Sequence, residues 1–168
     1  MFMAIREIRL FGDPVLNTVA DPVEEFDDRL RRLVRDMLET MDAAGGVGLA
    51  ANQIGITRRV FVFDCQGLRG HIVNPVWQPY GDAQQTGVEG CLSVPGVRGA
   101  VTRHNTVVAR GFDMYGRPLA LRGTVLLARC IQHESDHLDG VMFTTRMAPG
   151  ERKAALSAID QAEWKKEN

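Results

Sequence analysis

The sequence has no long apolar run, no excess of charge of one sign and few cysteines. Its purely apolar stretches, such as residues 60–63, are only a few residues long, whereas a membrane-spanning helix needs about 20. Lys and Arg number 20 against 21 for Asp and Glu, a formal net charge of -1, so no global field attracts nucleic acid or anionic membrane. The first residues are charged where a signal peptide would be apolar. These absences predict a cytoplasmic protein without nucleic-acid or membrane binding.

Three cysteines, Cys65, Cys91 and Cys130, cannot form a closed set of disulfides. They are therefore expected to be free thiols, available for metal binding or catalysis. No internal repeat, low-complexity tract or linker interrupts the sequence. The prediction is a single domain over residues 1–168.

Hydrophobic periodicity predicts a mixture of helices and strands. Apolar residues recur at helical spacing between the acidic pair 27–28 and the glycine pair 45–46. The remaining pattern predicts strands at 60–63 and 72–73, a hairpin at 106–121 that turns at 113–116, and helices at 124–138 and 149–165. Because strands and helices do not alternate regularly, the fold class is α+β rather than a doubly wound sheet.

The most specific pattern is an H-E-x-x-H motif, formed by His133, Glu134 and His137 on the second predicted helix. Residues at i and i+4 share one helix face, so both imidazoles can reach one metal ion. Glu134 follows the first ligand and suits a general base. The alternative is two unrelated histidines beside a solvated glutamate.

A third ligand is needed, because catalytic sites of this kind usually combine three protein ligands with an open position. Phe143 stands where the longer H-E-x-x-H-x-x-G-x-x-H motif has its third histidine. Cys130 is separated from His137 by an axial rise of about 10.5 Å, so one straight helix cannot easily bring them together. Cys91 lies in a segment shaped by glycine and proline, which can bring a thiolate and backbone N–H groups to one point. Cys91 is the preferred ligand, and the other cysteines are expected to pack as small apolar residues.

Three segments together resemble the peptide deformylase family: 46–53 (GVGLAANQ), 89–93 (EGCLS) and 132–137 (QHESDH). The resemblance implies small mixed or antiparallel sheets packed around a central helix that carries the H-E-x-x-H motif, with a C-terminal helix. It also implies a hydrolase that removes the N-formyl group from the N-terminal formylmethionine of newly made polypeptides and releases formate.

The resemblance also assigns roles to individual residues. The implied metal ligands are Cys91, His133 and His137. Glu134 is the implied general base and acid, as metal-bound water attacks the formyl carbonyl. The Gln53 side chain and the Leu92 backbone N–H contact the carbonyl oxygen. For Gln53 the alternative is an amide that ties the glycine-rich loop to its neighbours.

The resemblance implies one divalent metal ion, usually Fe(II) in the cell, although Zn(II), Ni(II) and Co(II) also bind. The partners it implies are N-formylmethionyl nascent peptides. Lys165 and Lys166 at the chain end suggest transient association with the ribosome, against which the acidic residues Asp160 and Glu163 count.

A methionine side chain requires an apolar slot beside the metal. The candidate substrate-binding residues are Val47, Gly48, Gly90, Arg98, Leu126 and Cys130. Arg129 stands where some family members have an apolar residue near this pocket. Glu89 and Arg103 either form an ion pair that fixes the Cys91 loop or are unrelated solvated charges.

Two rival functions are consistent with the motif. One is a zinc endopeptidase of the H-E-x-x-H type, which predicts an open groove and activity on unformylated peptides. The other is a protein that uses the metal only structurally, or that binds formylated N-termini without cleaving them. Glu134 argues against a structural metal, because a closed four-ligand site leaves no position for water.

Overall fold

The first helix, α1, spans Asp28–Ala44 in the computed structural model, which describes residues 4–167. Asp27 caps its N-terminus by accepting a hydrogen bond from the Leu30 N–H at 3.0 Å. Gly45 ends it in the left-handed conformation, with φ of 69°. The predicted bounds of this helix are confirmed. Its apolar face packs against the central sheet, in a cluster that includes Leu49 and Val62.

Seven strands form two antiparallel sheets. The strands are β1 (Gly48–Ala50), β2 (Val60–Cys65), β3 (Leu68–Pro79), β4 (Gln84–Glu89), β5 (Gly99–His104), β6 (Thr106–Phe112) and β7 (Pro118–Thr124). Five of them are ordered β1-β2-β3-β6-β7, and β4 pairs with β5 in a second sheet. Every ladder between these strands is antiparallel. The α+β fold class is confirmed.

The helix that carries the H-E-x-x-H motif, α2, spans Leu126–Leu138 and contacts both sheets. All its residues except Leu126 are buried. Two helices follow, α3 (Pro149–Gln161) and α4 (Glu163–Lys166), and short 3-10 turns occur at Pro14–Asn17, Ala51–Ile54 and Phe143–Arg146. Because α2 is enclosed, each polar side chain on it must find a partner within the protein or at a site.

Strand β3 is longer than the short strand predicted at 72–73. A bulge between Val73 and Val76 lets the strand continue to Pro79. Asn74 adopts a φ of 52° at this bulge. Its amide accepts from the Val23 N–H at 2.8 Å and donates to the Val23 carbonyl at 2.9 Å. The ending predicted at residues 74–75 was wrong because a contact with a distant segment stabilises the irregular backbone.

Two other boundaries differ from the sequence predictions. The hairpin continues to Thr124, which pairs with Thr106, so α2 begins two residues later than predicted. The last predicted helix is broken at Ala162, which is extended with φ of -69° and ψ of 139°. The break turns Trp164 towards the loop that follows β4, where its indole N–H donates to the Pro95 carbonyl at 2.9 Å.

Among residues 4–167, none of the helices combines the length and the hydropathy that a membrane span requires.

We predict that Asn74→Ala lowers the free energy of unfolding by about 2 kcal/mol, because it removes two hydrogen bonds and leaves alanine at a positive φ. Asn74→Gly should lose less, since glycine tolerates that φ. Urea unfolding of both variants measures this, with the exposed Gln78→Ala on the same strand as control. Equal stability of Asn74→Ala and the unaltered chain would contradict this description of the bulge.

Candidate metal centre

Three side chains with metal-binding atoms meet where the loop after β4 passes over α2. Cys91 Sγ lies 3.3 Å from His137 Nε2, and His137 Nε2 lies 3.2 Å from His133 Nε2. The ligand atoms of these three residues all lie within 4.8 Å of one another. Cys91 comes from the loop, and the histidines are one turn apart on α2.

The chemistry of this donor set fits a divalent metal ion. A thiolate and two imidazoles suit zinc, iron and related metals. Ligand atoms of a tetrahedral ion are about 3.5 Å apart when the bonds are about 2.0–2.3 Å, close to the separations found here. Two imidazole nitrogens that face each other can share at most one proton. A cation would therefore satisfy the three inward lone pairs better than a proton does.

The structure brings Cys91, and not Cys130, to the two histidines. Cys130 Sγ points instead towards the Val47 carbonyl, 3.6 Å away, and belongs to the apolar cluster that also contains Cys65. Burial raises the pKa of the Cys130 thiol well above its usual value, which disfavours the thiolate that a metal requires.

Glu89 fixes the orientation of His133. Its Oε1 lies 2.8 Å from His133 Nδ1, so the carboxylate holds the proton on Nδ1 and leaves the Nε2 lone pair free. The same carboxylate accepts two hydrogen bonds from Arg103, at 2.9 and 2.8 Å, and one from Arg129 at 2.5 Å. Burial alone would raise the pKa of Glu89, but hydrogen bonds from Arg103 and His133 outweigh it and hold that pKa well below the usual range. The ion pair considered from the sequence is therefore present.

Glu134 is buried and lacks one partner. Its Oε1 is 3.8 Å from His133 Nε2, and its Oε2 has no hydrogen-bond partner within the described residues. Burial raises the pKa of Glu134 to about 7. A carboxyl group with a free oxygen and a pKa near neutrality suits proton transfer.

Gln53 and Leu92 lie beside the three metal-binding side chains. The Gln53 side chain is hydrogen-bonded, whereas the Leu92 N–H is not. The Gln53 amide oxygen accepts from the Ala50 N–H at 3.0 Å, and its Nε2 donates to Ser93 Oγ at 3.1 Å. The loop-tying role considered from the sequence is therefore present. A second, longer contact joins Gln53 Nε2 to Cys91 Sγ at 3.6 Å. The Leu92 N–H has no hydrogen-bond partner in the part of the chain described, so it remains available as a donor.

A cavity of about 630 Å³ opens beside these groups, a size typical of small-molecule and peptide side-chain sites. The six candidate substrate-binding residues all line it: Val47, Gly48, Gly90, Arg98, Leu126 and Cys130. Cys91, His133 and Glu134 also line it, whereas His137 is buried. Arg98 is exposed and packs over Gly90 at the rim.

Close packing explains two glycines of the segment 46–53. A Cβ on Gly46 would lie 2.6 Å from Leu92 Cδ1. A Cβ on Gly48 would lie 2.8 Å from Cys130 Sγ and 3.0 Å from Glu134 Cγ. A side chain at Gly48 would therefore displace the carboxylate that borders the cavity.

The partners of three polar residues of the site could not be predicted from the sequence. Ser93 holds the Gln53 amide. Asp136 accepts hydrogen bonds from Arg103 at 2.7 Å and from Arg146 at 3.1 and 3.0 Å. Arg129 lines the cavity, near which the sequence analysis expected it, and its pairing with buried Glu89 was not expected. No spacing rule identifies these partners, because each contact joins segments distant in sequence.

Comparison with known proteins gives a consistent assignment. The sequence model of the family described as polypeptide deformylase matches residues 5–153. Peptide deformylase 1 of Corynebacterium efficiens is 57% identical over 166 residues, covering 96% of this chain and 98% of that relative.

Solved structures of peptide deformylases share the fold. The enzyme from Legionella pneumophila superposes with a TM-score of 0.88 and 41% identity, covering 94% of this chain and 95% of that one. The enzyme from Synechococcus elongatus, solved in complex with actinonin, gives a TM-score of 0.87 and 39% identity, covering 95% and 90%.

We predict that Cys91→Ser weakens cobalt(II) binding by more than about 100-fold, because even changes to residues behind the ligands of a metal site cost about 10- to 100-fold. Cys130→Ser should leave the cobalt affinity near that of the unaltered chain. Titration followed by the sulfur-to-cobalt charge-transfer band measures both. Loss of the band in Cys130→Ser, with retention in Cys91→Ser, would show that the wrong cysteine was chosen.

Proposed function

Because this chain belongs to the polypeptide deformylase family, whose members are metal-dependent hydrolases, we propose that it removes the formyl group from N-formylmethionyl nascent polypeptides and releases formate. One observation carries the proposal. Three convergent ligand atoms lie beside a buried carboxylate, Glu134, whose Oε2 has no partner among the described residues. Cys91, His133 and Glu134 border a cavity that can hold one side chain and the peptide end attached to it.

A divalent ion would be held by Cys91, His133 and His137. When bound, it would supply Lewis acidity towards the formyl oxygen and make water a better nucleophile. Glu89 keeps the His133 ring in the orientation that this requires, with its Nε2 lone pair directed at the other two ligands. The loop and the helix are thereby fixed before the ion arrives.

Glu134 acts as the general base and then as the general acid. Its free Oε2 accepts a proton from the attacking water and later delivers it to the departing amine nitrogen, so that formate and a free N-terminus are released. Its position next to His133 places this proton transfer beside the three ligands. Because the Glu134 side chain is buried, bulk water has little access to its carboxylate.

The negative charge that develops on the formyl oxygen needs donors. The Leu92 N–H is free to donate, and we assign it this role together with Gln53 Nε2. The Gln53 amide is anchored by hydrogen bonds with Ala50 and Ser93. The second N–H of its Nε2 makes only a long contact with Cys91 Sγ, so we assign this N–H to the substrate oxygen. Removal of one such donor typically costs about 2.7–4 kcal/mol in the barrier.

The catalytic domain is proposed to extend over residues 1–168, of which 1–3 and 168 lie outside the described part. Ala155 and Ile159 of α3 pack in one cluster with Val94, Val97 and Cys91, which supports the inclusion of the C-terminal helices. Ribosome association through Lys165 and Lys166, and a cytoplasmic location, stay predictions from the sequence.

One assay tests the function. Formate release is measured from a formyl-Met peptide, and cleavage is measured in parallel for its acetylated and unblocked counterparts. The proposal expects turnover of the formylated peptide alone. Internal cleavage of the unblocked peptide would instead indicate the endopeptidase, and binding of the formylated peptide without formate would indicate a non-catalytic binder.

We predict that Glu134→Gln retains the metal but lowers deformylation by at least about 1,000-fold, since a general base contributes about 10²- to 10⁴-fold. His137→Ala should lose both the metal and the activity. Metal analysis of the two purified variants, beside formate release, separates these roles. A Glu134→Gln protein as depleted of metal as His137→Ala would show that Glu134 is a ligand.

We propose Fe(II) as the metal used in the cell, as the family resemblance implies, although the site also accepts Zn(II), Ni(II) and Co(II). An iron site with a thiolate ligand reacts with oxygen or peroxide, so the iron form should be active but lose activity in air. The nickel, cobalt and zinc forms should persist. Formate release after exposure to air, with mass spectrometry of Cys91, measures this; an iron form fully active after days in air with peroxide would contradict it.

A further inference from the structure

A charged side chain lines the cavity that the proposed substrate's first side chain would enter. Arg129 is 6% exposed and borders the cavity together with Val88, Leu126, Cys130 and His133. It lies three residues after Leu126 and four before His133, so it shares their face of α2. Glu89, which pairs with Arg129, and Glu134 also line the cavity, beside the apolar Val88 and Leu126.

The hydrogen bonds of Arg129 fix the position of its guanidinium but do not use all of its N–H donors. Nη1 donates to Glu89 Oε2 at 2.5 Å and to the Val101 carbonyl at 3.0 Å, and Nη2 donates to Gln85 Oε1 at 3.3 Å. A guanidinium has five N–H donors and does not lose its charge in proteins. Nε has no hydrogen-bond partner in the described chain, and Nη2 has only one.

The neighbouring strand makes room for this group. A Cβ on Gly87 of β4 would lie 3.3 Å from Arg129 Nη2, so the glycine lets the guanidinium lie flat against the strand. Glu89, two residues further on, balances the charge. The cationic donor is therefore a stable part of the cavity wall rather than a side chain that can swing into solvent.

We propose that Arg129 is a specificity-determining residue, through which this pocket favours a first side chain with a hydrogen-bond acceptor at its δ position. The thioether sulfur of methionine is a weak acceptor, and the oxygen of methionine sulfoxide is a strong one. Norleucine, which has nearly the shape of methionine, offers none and would leave the donors unpaired. The pocket thus extends the substrate class to formylated peptides that begin with oxidised methionine.

The proposal rests on the proposed function and changes only the side chain that is recognised. Water hydrolyses the formyl amide, which gives formate and the free amine, and the sulfoxide is released unaltered. A site that donates hydrogen bonds discriminates against an analogue that lacks the acceptor, because its own polar groups then stay unsatisfied. A purely apolar pocket would instead treat methionine and norleucine alike and exclude the sulfoxide.

The test compares kcat/KM for three tripeptides that differ only in the first residue: formyl-methionine, formyl-norleucine and formyl-methionine sulfoxide. The enzyme is used with its metal content measured. For the unaltered chain we expect methionine to exceed norleucine by about threefold or more, and the sulfoxide to stay within about tenfold of methionine. Equal rates for methionine and norleucine, with the sulfoxide rejected, would overturn the proposal without any variant.

Variants then assign the effect to Arg129. Arg129→Leu should abolish the preference for methionine over norleucine and lower the sulfoxide-to-methionine ratio by about tenfold or more, whereas Arg129→Lys should retain part of both. Arg146→Leu is the matched control, because it removes an arginine from the same ion-pair network at Asp136 without lining the cavity. Its substrate ratios should not change.

The ratios separate specificity from structural damage. Loss of a structural ion pair lowers all three rates together, so unchanged ratios in Arg129→Leu, with formyl-methionine still deformylated, would overturn this inference and leave the proposed function intact. Absence of formate from every peptide with the unaltered, metal-loaded chain would instead overturn the proposed function.

Discussion

The buried carboxylate of Glu89 joins the three parts of the molecule that build the site. It ends β4 two residues before Cys91, it receives both an Nε and an Nη donor of Arg103 from β5, and it is bound by Arg129 and His133 from α2. Removing one member of a buried ion pair typically costs about 3–5 kcal/mol, because the other charge stays unpaired. Cys91 and the two histidines of α2 therefore keep one relative position as long as this carboxylate is held.

Other polar side chains of α2 are also held by partners within the protein. Because α2 is enclosed between two sheets, most of its polar side chains bond to other protein groups rather than to water. Asp136 is bound by Arg103 and Arg146, so Arg103 links two carboxylates. Glu134 Oε2, Ser135 Oγ and His137 Nδ1 are buried without a partner within residues 4–167, and of these three residues Glu134 is the one that lines the cavity. An unsatisfied carboxylate beside the cavity marks the position where substrate and water are expected to supply the missing contact.

Much of this arrangement could be predicted from the sequence, because its signals are local. The spacing of apolar residues predicted α1, and the i, i+4 spacing predicted that the two histidines share one helix face. The axial rise between Cys130 and His137 favoured the other cysteine by simple geometry. What could not be predicted depends on distant partners. The bulge at Asn74 needs the Val23 backbone, the break at Ala162 accompanies a contact of Trp164 with Pro95, 69 residues away, and the direction of Arg129 is set by strands β4 and β5.

The central claim is that Cys91, His133 and His137 together hold one metal ion. X-ray absorption at the zinc edge of the zinc-loaded protein tests this most directly. We expect one sulfur neighbour at about 2.3 Å and two imidazole nitrogens at about 2.0–2.1 Å, with the remaining position taken by a light atom. Two sulfur neighbours, or none, would contradict it.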